Sequence, residues 1–272
     1  HAHGTGAIYL NELNAVRLAD IDTQDGVIQV TAGGNMVAVD VQTGNNNDIT
    51  LTTTSGNITA GIVNAGTGNV TLTSAGSILD IAGDVSGTLL TADATGAITL
   101  TTNVAQLNIS STVSGDINIT ETDDVNLVDI DTQDGSITIT AGGAVTATDV
   151  ASLTDSDSND IHITGTSITV GSINAGTNGD VELIATAGTV EEDGDVGVDI
   201  TADDLFISAT NGVGVTNAID TQVSDLDIAN TNNDTAIVNT GALNIVDIDG
   251  DGYGINNPAG AVQVEASSPL TL

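Results

Sequence analysis

The chain has no cysteine, no tryptophan, a single Lys or Arg, and aromatic residues at only 1% of its 272 positions. Zero Cys excludes disulfides and thiolate metal sites, and is compatible with an extracellular bacterial setting. Arg17 is the only strong cation against 37 Asp and Glu, a net charge of −36. Such a surface cannot neutralise phosphates, so nucleic acid is excluded as a partner and anionic membranes are repelled. Divalent cations are its natural counter-ions. No apolar run approaches the ~20 residues of a membrane span. His1-Ala2-His3-Gly4 has neither the charged nor the apolar region of a signal peptide, so a mature product or an excised piece is expected.

What is present is aliphatic and small. Hydrophobic residues make up 39% of the chain, which excludes disorder despite the charge. Ile, Val and Leu alongside Thr, Asn, Asp and 32 Gly favour strands and turns over helices.

The chain also repeats itself. Asp20-Ile21-Asp22-Thr23-Gln24-Asp25-Gly26 returns residue for residue as Asp129-Ile130-Asp131-Thr132-Gln133-Asp134-Gly135, and Asn64-Ala65-Gly66-Thr67 returns as Asn174-Ala175-Gly176-Thr177. Residues 16–80 thus recur at about 125–193. Runs such as Val27-Ile28-Gln29-Val30, Asp48-Ile49-Thr50-Leu51, Asp160-Ile161-His162-Ile163 and Asp180-Val181-Glu182-Leu183 alternate apolar and outward residues, the period of a strand with one buried face. Their starts fall roughly 20 residues apart, too far for hairpins and right for one coil of a parallel β-solenoid. The expectation is an all-β, single-domain rod over residues 1–272, with about 13 coils stacked at ~4.8 Å. Aliphatic side chains should fill a narrow two-sided lumen. Thr and Asn between them should face outward, with Gly and Asn at the corners.

Segments such as Ser136 to Val150, Gly179 to Gly188 and Ala202 to Gly214 resemble the repeat regions of filamentous-haemagglutinin-like giant bacterial surface proteins. The resemblance covers nearly the whole chain and rests on repeat grammar. It implies a right-handed β-helix, secretion, and a place in an adhesin stalk or surface fibre. No secretion-recognition domain or adhesive tip is found, so the expectation is an interior piece of rod. Ala7-Ile8-Tyr9-Leu10 and Ala261-Val262-Gln263-Val264 read as ordinary strands without caps, so more coils or end-to-end self-stacking is expected.

Asp247-Ile248-Asp249-Gly250-Asp251-Gly252-Tyr253 places carboxylates at positions one, three and five and Gly at six, as an EF-hand loop opens. Pro258 stands where the bidentate Glu belongs, which excludes a full EF-hand. Two readings stay open, a partial calcium site at a corner and a solvated acidic turn. The same pair applies to Asp20, Asp22 and Asp25, to Asp129, Asp131 and Asp134, to Asp123-Asp124, and to Glu191-Glu192-Asp193-Gly194-Asp195. Carboxylates stacked one coil apart repel by about 0.9 kcal/mol even in water, so neutral spacers or cations must separate them.

No catalytic residue is assigned. His1, His3 and His162 form no triad or metal spacing, and Arg17 is a poor supply of cationic groups for a lyase. The chain is therefore read as a structural protein, not an enzyme: an extracellular or cell-surface β-helix rod whose partners are itself, divalent cations and a host-surface or matrix receptor. The alternative is a β-helix polysaccharide-processing enzyme, using Asp123 and Asp124 for acid–base work, or a glycan-binding module.

Overall fold

The computed structural model describes residues 2, 5–194 and 196–272; His1, His3, Gly4 and Asp195 lie outside the described residues. The chain forms two compact units, residues 1–134 and 135–272. The described residues hold strands and no helix, and the fold is a parallel β-solenoid of about 11 turns.

In the first unit every turn contributes to three ladders. Strand Ile8–Glu12 pairs with Ile28–Ala32, Val16–Leu18 with the first half of Met36–Thr43, and Ile21–Thr23 with its second half, all parallel. The lumen is therefore three-sided, not two-sided, because each turn bends twice between short strands. Register is set by the alternation itself. Ile28 stacks on Ile49 and then Val70, and Val30 on Leu51 and then Leu72, every one fully buried. Slipping one residue would turn the whole column outward. Burying each such side chain contributes about 1.5–3 kcal/mol.

The second unit repeats the plan: Ile137, Ile161, Val181, Leu205 and Leu226 pair in succession, as do Ile139, Ile163, Leu183, Ile207 and Ile228. The turn count falls below 13 because some turns carry long corners. Ile28 pairs with Ile49, 21 residues on, but Ile137 pairs with Ile161, 24 residues on, and Thr235 with Val262, 27 residues on.

Not all Thr and Ser face outward. Thr43, Thr53, Ser74, Thr132 and Ser152 are buried where a strand enters a corner. Their hydroxyls donate to carbonyls of corner residues, as from Thr43 to Asn47 (2.7 Å) and from Thr132 to Gly115 (2.9 Å). Each satisfies a carbonyl that the bend would otherwise strand. The duplicated Asn-Ala-Gly-Thr corner has one construction in both units. Asn64 Oδ1 accepts from Gly66 N–H at 2.8 Å and Asn174 Oδ1 from Gly176 N–H at 2.9 Å, with the glycines at φ 62° and 85°. That left-handed bend is what requires Gly there.

Candidate functional site

One row of residues, each just before a strand on the same ladder, differs between the units. In the first unit the row begins Asn35, Asn57, Ser77. Asn35 Oδ1 accepts from Asn57 N–H and Asn57 Oδ1 from Ser77 N–H, both at 2.9 Å. In the second unit it runs Ser136, Asp160, Asp180, Asp204, Asp225. Ser136 Oγ accepts from Asp160 N–H at 3.2 Å, Asp160 Oδ1 from Asp180 N–H at 3.1 Å, and Asp180 Oδ1 from Asp204 N–H at 3.2 Å. The bonding is the same, but acids replace amides. Burial pushes the Asp180 carboxyl above its ordinary range. Asp204 is pushed up to about 6, first by burial and then by the charges of Asp180, Asp225, Asp203 and Asp157.

Beside this ladder, two residues into the strands, the outward positions pair as Thr138, His162, Glu182, Phe206 and Asp227. His162 Nδ1 lies 2.8 Å from Glu182 Oε2, both half-exposed on adjacent turns. The corner after Leu243–Ile245 folds back along this face. Ile248 and Asp249 wall a groove of about 380 Å³ whose other side is His162, Asp180, Val181, Glu182, Asp204 and Phe206. That volume is at the small end of ligand pockets.

The returning corner is the Asp-rich loop singled out by sequence. Among the described residues, the group of three carboxylates close enough to share an ion is Asp227, Asp247 and Asp249, with oxygens within 4.8 Å of one another. Oxygens bound to one calcium at about 2.3–2.6 Å fall within that separation. Asp227 is buried, at 1% exposure, and its Oδ2 accepts from Ile248 N–H (2.7 Å) and Asp249 N–H (2.9 Å). Burial raises its pKa, as do the charges of Asp249 and Asp251, against the lowering effect of those two N–H groups.

Asp251, the expected third ligand, instead staples the loop. Its Oδ1 accepts from Tyr253 N–H and its Oδ2 from Asn256 Nδ2. Asp247 holds Gly250 N–H and Gly252 N–H, and Asp249 holds Asp251 N–H. The residues fit a calcium ion with two of the expected ligands and one from a strand of the preceding turn. Asp227 stands one turn back, and no local motif announces it.

The other acidic candidates stand apart from this group. Asp22 stacks on Gln42, Asp129 on Asn108 and Asp131 on Ser110, the neutral spacing that repulsion demands. Asp25 accepts from Asn47 Nδ2 at 3.2 Å, while Asp20 and Asp134 are exposed. Neither triplet brings three ligand atoms within reach of one ion. Asp123 and Asp124 are exposed at a corner.

Two glutamates are buried, of which Glu121 was not singled out by sequence and Glu192 was. Glu121 accepts from Thr102 Oγ1 (2.7 Å), Val104 N–H (3.2 Å) and Thr122 N–H (2.8 Å). Glu192 belongs to the cluster for which a partial calcium site and a solvated acidic turn were both open, and it is buried: Oε2 accepts from Asn217 Nδ2, and Oε1 has no partner. Glu191 beside it holds the N–H groups of Val215 and Thr216. Comparison with protein-family models, curated proteins and solved structures finds no match to this chain.

Proposed function

We propose that the chain is a structural stretch of an extracellular, cell-surface filament of the filamentous-haemagglutinin-like kind, with calcium as its stabilising ion. The in-register aliphatic column carries the reading. A stack in which Ile28, Ile49 and Val70 repeat one environment turn after turn extends indefinitely without a new core design, as a stalk requires. The net charge of −36, most of it on the surface and with a single strong cation, keeps such rods apart and soluble. Copies stack end to end through parallel strand edges, or the same turns continue in a longer chain, and a host-surface or matrix receptor is met elsewhere on the fibre. Calcium at Asp227, Asp247 and Asp249 ties a long corner to the wall. The role is mechanical and not enzymatic.

Negative-stain microscopy of the pure protein, in millimolar calcium and again in chelator, tests this reading. Narrow rods that lengthen with concentration are expected, more uniform with calcium. Round, monodisperse particles under both conditions would sink it.

A further inference from the structure

We propose that the groove over strands Ile161–Gly165, Val181–Ala185 and Asp204–Ala209 binds a linear polyamine, a flexible organic polycation with ammonium groups joined by short methylene chains. The inference concerns a ligand and does not rest on the filament reading, although its groove shares Asp249 with the calcium site proposed above.

The first argument is the contrast between the ladders. Asn35 and Asn57 show that a side-chain amide oxygen suffices to hold the next turn's N–H. Asp160 and Asp180 make the same bonds and add a charge that the bond does not need. Stacked charges repel, and the one basic side chain lining the groove, His162, already pairs with Glu182, which leaves Asp180 and Asp204 without a cationic side chain among the lining residues. The compensating charge has to come from outside.

The groove's shape says which kind of cation. A hydrated metal ion gains nothing from apolar walls. Here Phe206 and Ile248 line the groove together with the carboxylates of Asp180, Glu182, Asp204 and Asp249, while the side chain of Val181 is buried in the core beneath. Neighbouring turns are ~4.8 Å apart and alternate residues along a strand roughly 7 Å apart, so the acids lie on a lattice of that pitch. Amines separated by short methylene chains match it, while their carbons lie on the apolar walls. The Phe206 ring offers a face to an ammonium group. A single lysine side chain would answer one of these carboxylates and leave the others unpaired.

The test is calorimetric titration of spermidine into the full chain at fixed ionic strength, with chelator present to remove metal. Saturable one-to-one binding is expected, weakened at least fivefold by Glu182→Gln and by Phe206→Leu. Asp40→Asn, which removes the same charge from the first unit, should leave it unchanged. Because Phe206→Leu keeps an apolar side chain in place, it reads the site even if Glu182→Gln perturbs folding. No saturable binding, or equal weakening by Asp40→Asn, would overturn the proposal in favour of diffuse counter-ion attraction. Tighter binding of a neutral oligosaccharide or a lysine-rich peptide would overturn the choice of occupant.

Discussion

The two units use the same backbone bonds with different chemistry. In the first, Asn35 and Asn57 form an amide ladder, and the buried acid Glu121 sits among donors from Thr102, Val104 and Thr122. In the second, the ladder is Asp160, Asp180 and Asp204, and the buried acid Asp227 faces Asp247 and Asp249. Burial alone therefore does not mark a site. Glu121 is surrounded by donors alone, whereas Asp227 accepts from two N–H groups and also faces two further acids. The contrast breaks most visibly at Glu121. Glu121→Ala leaves the buried Thr102 hydroxyl and Val104 N–H without this acceptor, at about 1–3 kcal/mol each, while Thr122 N–H keeps its bond to Thr102 O. Urea unfolding should show a loss of about 2 kcal/mol or more, independent of calcium. A loss restored by calcium would put Glu121 in the same class as Asp227.

Asp227→Asn should act in the opposite direction. The amide oxygen still accepts from Ile248 and Asp249 N–H, but the buried charge is gone. In chelator the melting midpoint should rise by a few degrees, since relief of about 1 kcal/mol corresponds to ~2–4 °C for a chain of this size. Calcium should raise the midpoint of the unaltered protein and leave that of the variant unmoved, because an ion bound only by the folded state stabilises it. A variant that melts lower in chelator yet still responds to calcium would make Asp227 a structural acceptor like Glu121.

The fold was legible because parity carries it. In Val27-Ile28-Gln29-Val30 the apolar positions are those that stack on Ile49 and Leu51. The count of turns was less legible, since long corners such as those before Ile161 and Val262 break the spacing without breaking the stack. Of the site, Asp247 and Asp249 could be read from a local motif. Asp227 could not, since it occupies an ordinary outward position in Asp225-Leu226-Asp227-Ile228 and is covered only when a corner some twenty residues later folds back. Glu121 did leave a trace. It continues the inward series Ile117, Ile119, where other strands place Ala, Thr or Ser, and an acid at inward parity is a signal of a buried acceptor.

The smallest expected effect, and the finest probe of the contrast, is Asp204→Asn, which removes a charge from the second unit's row without touching its bonds between turns, since Asp225 N–H goes to Asp203 O. The Asp204 pKa is raised from 3.8 to about 6, so the folded chain holds this proton more tightly than the unfolded chain does. Between pH 4 and pH 6 the folded state then binds the extra proton, and stability falls as pH rises through that window. Above pH 6 the full penalty is present. Acidifying from pH 7 to pH 5 should therefore stabilise the protein through this group, opposite in sign to a carboxylate whose pKa is lowered. In Asp204→Asn the neutral-pH midpoint should rise and the slope between pH 4 and pH 6 should flatten. The gain should be on the order of a degree, because the side chain is only half-buried and solvent screens its neighbours. Thermal melts across that range decide it. An unchanged slope would mean that the acid ladder sits in solvent as comfortably as the amide one, and that the acids of the second unit need no partner.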